Sequence, residues 1–213
     1  MTDVSGQNGA HGRGLAAAII ERLGRRSIVL IGMMGVGKSS IGRRLAGRLN
    51  IPFVDADSEI EKAAGMSIAD IFARHGETDF RSGEARVIAR LLESGPQVLA
   101  TGGGAVMNPD TRAAIKAKGI SIWLSADVDV LMRRISKRRN ERPLLQTEDP
   151  AATLRQLLAV REPVYAQADI AVQSREAPHD AIVGEILAKL AAFLNDGASS
   201  HVQGSANDCA SPS

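Results

Sequence analysis

The sequence predicts an α/β fold in which helices pack on both faces of a parallel sheet. Short apolar runs alternate along the chain with segments of helical periodicity, which is the pattern of consecutive βαβ units. Several of these runs are almost continuously apolar and rich in β-branched residues, as strands covered on both faces must be. A glycine-rich segment also separates the first apolar run from the helical pattern that follows it, which favours the same class.

The elements are predicted from these runs in chain order. Strands are expected at 27–31, 52–55, 97–100, 121–124 and 170–172. Helices are expected at 15–23, 38–49, 58–64, 67–75, 77–92, 109–117, 128–135, 151–161 and 179–194. Two helix starts carry capping signals: Ser67 lies three residues before Asp70, and Asn108 precedes a proline at the first helical position.

Length and composition indicate one domain with two tails. The chain has 213 residues, and we predict the domain over 15–195. Segments 1–14 and 196–213 are rich in Gly, Ser, Asn and Asp with almost no large apolar residue, so we expect both to be disordered. The only cysteine, Cys209, cannot form an internal disulfide, and a reducing, cytoplasmic compartment is therefore expected.

Charge and hydropathy exclude several classes of protein. The formal net charge of +2 is too small to indicate binding to nucleic acid. No run approaches the roughly 18 consecutive apolar residues of a membrane-spanning helix. The first apolar run is followed at once by charged residues, so no secretory signal peptide and no membrane association are expected.

The strongest motif is GMMGVGKS at 32–39, which matches the phosphate-binding pattern GxxxxGK[ST]. It lies directly after a predicted strand and before a helix, the context in which backbone N–H groups and a helix N-terminus surround phosphate oxygens. Lys38 supplies a charge to the outer phosphates, and the Ser39 hydroxyl is the expected Mg²⁺ ligand. The nucleotide-binding residues predicted here are Gly35, Val36, Gly37, Lys38, Ser39 and Ser40.

Two carboxylates, Asp55 and Asp57, stand at the end of the second predicted strand. Open α/β sheets bind ligands at this edge, so one carboxylate can face the metal ion and the other can orient or deprotonate an acceptor hydroxyl. Either aspartate could instead be only the cap of the next helix.

A third candidate group comprises Arg81 and the glycines of TGGGA at 101–105, just after the third strand. Consecutive glycines permit close backbone approach to a small ligand, although they could also form only a flexible turn. Their position places them at the same sheet edge as the phosphate loop and the aspartates.

Residues 133–142 contain six basic residues in ten and are followed by Pro-Leu-Leu. The run lacks the interleaved aromatics of a nucleic-acid site, and a solvated helix end remains an alternative.

Together the segments GMMGVGKSS, VDADSEIE, SIADIFARHGETDFRSGEARV, TGGGAV, ERPLL and REPVYAQAD resemble the shikimate kinase family over about residues 27–190. The resemblance implies a P-loop kinase fold like that of nucleoside monophosphate kinases, with strand order 2-3-1-4-5 and a mobile lid. It implies Mg²⁺-dependent transfer of the ATP γ-phosphate to the 3-hydroxyl of shikimate, on the route to chorismate and the aromatic amino acids. By the same analogy we expect a monomer.

The resemblance also implies roles for individual residues. Asp57 becomes the catalytic base and a contact of the shikimate hydroxyls, beside Lys38 as a catalytic cation, and Asp55 lies near Mg²⁺. Arg81 and Arg161 bind the shikimate carboxylate, which the planar guanidinium fork matches. Glu84 would hold Arg81 in position. Further shikimate contacts fall to Gly102, Gly103 and Gly104.

The basic run corresponds to the lid, at about 136–149, and Arg142 to the lid arginine that reaches the phosphates. Which of Arg133, Arg134 or Arg138 stacks on adenine stays open.

Three alternatives remain at this point. A kinase of gluconate or of a nucleoside monophosphate shares the phosphate loop, but the DxD, FR, GGG and RPLL set favours shikimate. A non-catalytic ATP- or shikimate-sensing module would require a disabled site, whereas Lys38, Ser39 and Asp57 are intact. A mechanical ATPase would require partner surfaces that the sequence does not indicate.

Overall fold

The computed structural model describes residues 5–136 and 149–202, with side chains over 14–135 and 149–196. Its centre is a five-stranded parallel sheet in the order β2-β3-β1-β4-β5, so the predicted fold class and strand order are confirmed. The strands are β1 (Ser27–Ile31), β2 (Phe53–Asp55), β3 (Val98–Ala100), β4 (Gly119–Ser125) and β5 (Ile170–Gln173).

Helices cover both faces of this sheet. They are α1 (Ser5–Leu23), α2 (Lys38–Leu49), α3 (Ala56–Ala64), α4 (Ile68–Leu92), α5 (Pro109–Lys118), α6 (Val128–Ser136), α7 (Pro150–Tyr165) and α8 (His179–Val202). A 3₁₀ turn at Ala105–Met107, which the sequence analysis did not predict, follows the three glycines.

Two helix boundaries differ from the predicted ones for identifiable reasons. Helix α3 begins at Ala56 rather than at 58, because the Asp55 side chain accepts the N–H of Asp57 and caps it. Helix α7 continues to Tyr165 rather than ending at 161, although Pro163 lies in its last turn. Only two residues follow this proline, and the buried Tyr165 ring fixes that end of the helix.

Helix α4 contains a kink at Gly76, whose φ of 78° and ψ of 174° are not helical. This kink separates the two helical segments predicted at 67–75 and 77–92. The chain thus turns at the glycine, which tolerates a positive φ at no steric cost.

The terminal helices extend into the predicted tails. Helix α1 begins at Ser5 and α8 ends at Val202, beyond the expected limits of 15 and 194. Adding residues to an existing helix costs little compared with nucleating one. Residues 1–4 and 203–213, Cys209 among them, lie outside the described part of the chain, and the disorder of the tails stays a prediction.

The two cores lie on opposite faces of the sheet. Along β1, Ile28 and Leu30 point into the core shared with α1, α2, α6 and α8, whereas Val29 and Ile31 point into the core shared with α4, α5 and α7. All four side chains are buried, as expected of a central parallel strand. A satellite cluster of Ile60, Ile71 and Phe80 joins α3 to α4.

Parallel pairing brings the carboxyl ends of three strands together. Ala100 of β3 is in register with Leu30 on one side and with Asp55 on the other. The segments after β1, β2 and β3 therefore meet at one edge of the sheet, where ligands bind in folds of this class. None of the described helices has the length and apolar character needed to cross a membrane.

Candidate active site

A cavity of about 560 Å³ opens at this edge of the sheet. It brings together the loop after β1, the two aspartates at the end of β2 and the glycines after β3, together with side chains of α4 and α7. The predicted site residues that line it are Gly35, Gly37, Lys38, Ser39, Ser40, Asp55, Asp57, Arg81, Gly102, Gly103, Gly104 and Arg161. Val36 is buried behind the wall. Arg142, with residues 137–148 of the lid predicted at about 136–149, lies outside the described residues.

The phosphate loop has the backbone that its glycines predict. Gly35 and Gly37 have φ values of 81° and 102°, a conformation that L side chains rarely adopt. Gly37 is the N-cap of α2, so the positive end of that helix faces the cavity. The Lys38 ammonium donates to the carbonyls of Gly32 at 2.7 Å and Met33 at 3.1 Å, which keeps its charge over the loop.

Asp55 joins the phosphate loop to β2. Its Oδ2 accepts the hydroxyl proton of Ser39 at 2.7 Å, while its Oδ1 accepts the N–H of Asp57 at 3.2 Å. The capping interpretation and the metal interpretation are therefore compatible, because they use different oxygens of one carboxylate.

This oxygen pair fits a magnesium site. A serine hydroxyl and one carboxylate are hard donors, and Mg²⁺ is bound by one or two carboxylates with water and phosphate oxygens completing its shell. Within residues 5–136 and 149–202 no cluster of three His, Cys, Asp or Glu side chains is present, so a site formed wholly by protein side chains is not seen there.

Asp57 faces the same cavity from the first turn of α3. Burial raises the pKa of its carboxyl, and the negative charge of Asp55 raises it further, against the opposing effects of Lys38 and Arg81. A carboxylate whose proton affinity is increased in this way is suited to accept a proton from a hydroxyl.

Arg81 lines the same cavity and is held by two glutamates. Its Nη1 donates to Glu84 Oε2 at 2.7 Å, and its Nε and Nη2 donate to Glu77 Oε1 at 3.3 and 3.2 Å. The guanidinium also lies 5.0 Å from the centroid of the Phe80 ring. Arg81 can therefore present a positive charge to the cavity without losing side-chain entropy on binding.

Glu84 is almost completely buried, and its Oε1 has no hydrogen-bond partner in the described structure. Burial raises the pKa of Glu84, and Arg81 opposes this effect. A Cβ on Gly102 would lie 2.7 Å from this oxygen and 2.9 Å from Asp57 Oδ1. The two carboxylates thus converge on Gly102, which explains why that position has no side chain.

Arg161 enters from α7 and is only 6% exposed. Its Nη1 lies 3.8 Å from the Met33 thioether sulfur. Four residues later on the same helix face, Tyr165 donates its hydroxyl proton to the carbonyl of Gly103. The phosphate loop, the glycine loop and α7 are therefore in direct contact around one arginine.

Two of the three basic residues left open for adenine stacking lie in different places. Arg134 lines the cavity, whereas Arg133 pairs with Glu176 at 2.8 Å on the exposed surface. Arg138 lies outside the described residues.

Sequence reasoning missed several residues at or beside the cavity, among them Met33, Tyr165, Ser174 and His179. Tyr165 had a usable signal, since REPVY places it at i+4 from Arg161. Ser174 had none. His179 lines the cavity at the start of α8, and burial, together with the charges of Arg44 and Arg134, lowers its pKa.

Comparison with known proteins agrees with this geometry. The sequence model of a family described as shikimate kinase matches residues 34–191. The chain is 65% identical over 178 residues to a shikimate kinase of Bradyrhizobium diazoefficiens, covering 84% of this chain and 86% of that one. It is 56% identical over 190 residues to a shikimate kinase of Nitrobacter winogradskyi, covering 89% and 88%.

Solved structures extend the comparison to the fold. A shikimate kinase of Acinetobacter baumannii in complex with shikimate superposes with a TM-score of 0.74 and 38% identity, covering 76% of this chain and 91% of that chain. A gluconokinase of Sinorhizobium meliloti reaches a TM-score of 0.53 at 21% identity, which shows only that the fold is shared.

Proposed function

The chain belongs to the shikimate kinase family, and we propose that its cavity transfers the γ-phosphoryl group of ATP to the 3-hydroxyl of shikimate through the residues described above. The observation that carries this proposal is the placement of Asp57, Arg81 and Arg161 in one cavity with the phosphate loop. A cavity of about 560 Å³ is within the range that holds small ligands.

The phosphate loop is the ATP half of the site. Gly35, Val36 and Gly37 supply backbone N–H groups, Lys38 supplies charge, and Ser40 completes the first turn of α2. Ser39 and Asp55 are the proposed Mg²⁺ holders. The ion, when bound, neutralises charge that develops on the phosphate oxygens.

The two arginines form the shikimate half of the site. Shikimate carries a carboxylate, and guanidinium groups bind carboxylates through two parallel hydrogen bonds. Arg81 and Arg161 reach the cavity from α4 and α7, while the Gly103 peptide is held in place by Tyr165. The substrate is therefore fixed at its carboxylate while its ring hydroxyls face Asp57.

Asp57 is the proposed base. As the 3-hydroxyl oxygen bonds to the γ-phosphorus, its proton passes to the Asp57 carboxylate and the bond from phosphorus to the ADP oxygen breaks. Positioning and charge supply most of the rate in phosphoryl transfer. We propose that Lys38 stabilises the charge on the transferring phosphoryl group. Arg142 is proposed as a second cation with the same role.

A coupled assay of ADP release with Mg·ATP tests this function in the full chain. We expect release with shikimate to exceed that with gluconate, quinate or AMP by more than about tenfold, which corresponds to roughly 1.4 kcal/mol of transition-state discrimination. ADP release without any acceptor would indicate an ATPase. Binding of ATP and shikimate without turnover would indicate a sensor, and either result would contradict the proposal.

Replacing Arg161 by lysine should raise KM for shikimate about tenfold and leave KM for ATP nearly unchanged, because an ammonium cannot form two parallel hydrogen bonds to a carboxylate. Steady-state kinetics in both substrates measures this. Arg155→Lys is the matched control, since Arg155 is exposed on the same helix. An unchanged KM for shikimate in Arg161→Lys would contradict the assigned contact.

We also propose that the enzyme is a cytoplasmic monomer. The single cysteine, which allows no internal disulfide, supports the reducing compartment. The monomeric state rests on the resemblance to the family.

A further inference from the structure

The carbonyl oxygen of Val36, inside the phosphate loop, is held by two side chains from distant parts of the chain. Ser174 Oγ donates to it at 2.8 Å and Arg134 Nη1 at 3.1 Å. Arg134 Nη1 also donates to Ser174 Oγ at 3.0 Å, so the three groups form a closed set. Ser174 is 1% exposed, and water therefore does not compete for these bonds.

Both donors are themselves anchored. Ser174 directly follows β5, and its backbone N–H donates to the carbonyl of Ser125 at the end of β4 at 2.6 Å. Arg134 Nη2 donates to the carbonyl of Arg175 at 3.2 Å. The Val36 carbonyl is thus held by Ser174, which follows β5, and by Arg134 of α6, rather than by its own loop.

Fixing this carbonyl also orients the next N–H. The C=O of Val36 and the N–H of Gly37 belong to one planar trans peptide and point in opposite directions. Gly37 lines the cavity, and its φ of 102° lets the loop adopt this arrangement. Because Ser174 holds the carbonyl from behind, the Gly37 N–H is directed forward, as a donor to a phosphate oxygen must be.

We propose that Ser174 is a positioning residue for ATP: its hydroxyl, with Arg134, holds the Val36–Gly37 peptide in the orientation that binds phosphate. The inference rests on the proposed ATP-dependent function and deepens it. Ser174 is buried and does not line the cavity, so its effect passes through the phosphate loop and falls on the nucleotide half of the site. Shikimate binding depends on α4, α7 and the glycine loop instead.

Ser174→Ala in the full chain tests this inference. Losing the hydroxyl should raise KM for ATP, and the dissociation constant for Mg·ADP measured by calorimetry, about three- to tenfold, the size expected for one hydrogen bond. KM for shikimate should stay unchanged. Ser174→Thr keeps a hydroxyl at the same place and should restore nucleotide affinity.

Ser27 provides the matched control. It is fully buried, and its Oγ donates to the carbonyl of Gly95 at 2.9 Å at the other end of the sheet. Ser27→Ala therefore removes the same kind of bond and should lower Tm comparably, but it should leave both KM values unchanged. This comparison separates positioning of the loop from general loss of stability.

The outcomes distinguish the two proposals. Unchanged ATP and Mg·ADP affinity in Ser174→Ala, an equal loss of affinity in Ser27→Ala, or no rescue by threonine would overturn the positioning role. If Ser174→Ala does not fold, Ser174→Cys replaces it, because a thiol of similar size is a weaker donor and should still weaken nucleotide binding. A wild-type chain that binds Mg·ADP but does not phosphorylate shikimate would contradict the proposed function alone.

Discussion

Asp57→Asn should lower kcat for shikimate phosphorylation by about 10²–10⁴-fold, the usual contribution of a general base. The amide keeps the size of the carboxylate but cannot take the proton of the 3-hydroxyl. KM for ATP should change little, because Lys38, Ser39 and Asp55 form the nucleotide side of the cavity. Steady-state kinetics with each substrate varied in turn measures the separation.

The pH profile of the wild-type enzyme should also identify Asp57 as the base. Burial, with the nearby charge of Asp55, raises the pKa of Asp57 above its ordinary value of 3.8. The base is active only when ionised, so kcat/KM for shikimate, which reports the ionisation of the free enzyme, should fall as the pH drops through this raised pKa, at a higher pH than for a free aspartate. In Asp57→Asn the acidic limb should disappear from the residual activity.

In Asp57→Asn the thermal stability at neutral pH should rise although kcat falls. A carboxyl whose folded-state pKa is raised contributes stability below its unfolded pKa, and this contribution is lost as the pH rises through the folded pKa. At neutral pH the ionised Asp57 therefore costs folding free energy, and Asp57→Asn should raise Tm there while leaving it nearly unchanged at low pH.

An exposed aspartate supplies the control for both measurements. Asp79 lies on the surface of α4, and Asp79→Asn should alter neither kcat nor Tm appreciably. An Asp57→Asn variant that retained near-normal kcat would show that the base lies elsewhere.

The parts of this site that follow directly after strands could be predicted from the sequence. The phosphate loop, Asp55, Asp57 and the three glycines each occupy the first residues beyond an apolar run, and parallel strands end at the same edge. Local pattern also located the kink at Gly76, because a glycine separates two helical periodicities. The strand order came from the family resemblance, since alternation alone does not fix which strands are neighbours.

The contacts that hold these groups could not be predicted in the same way. Arg161 and Met33 are separated by 128 residues, Tyr165 and Gly103 by 62, and Ser174 and Val36 by 138. Each pair joins a side chain to a loop through packing of whole elements, and no periodicity in the sequence encodes such a distance. The extension of α7 past Pro163 has the same origin, because the buried Tyr165 ring decides it rather than local helix propensity.

The second large effect is expected from Gly102→Ala. The backbone φ of Gly102 lies outside the strained positive range, so alanine can adopt it, and the effect must come from contact. The new Cβ would lie 2.7 Å from Glu84 Oε1 and 2.9 Å from Asp57 Oδ1, closer than such atoms approach in proteins. Both carboxylates must therefore shift, and Asp57, which faces the cavity, moves from its place while Glu84 also disturbs Arg81, to which it is bonded at 2.7 Å.

Displacing a catalytic base by about 1 Å can lower the rate by roughly 10²-fold. We therefore expect Gly102→Ala to lower kcat by up to about 10²-fold. The neighbouring Gly104→Ala acts through a different residue, because its Cβ would lie 2.5–2.8 Å from the Arg81 guanidinium, and it should raise KM for shikimate instead. Gly47→Ala, whose Cβ would meet no atom within 4 Å inside α2, should leave kinetics unchanged and stabilise the fold by about 1 kcal/mol. A normal kcat in Gly102→Ala would contradict the role of Asp57 as the base, and an unchanged KM for shikimate in Gly104→Ala would contradict the contact of Arg81 with the carboxylate.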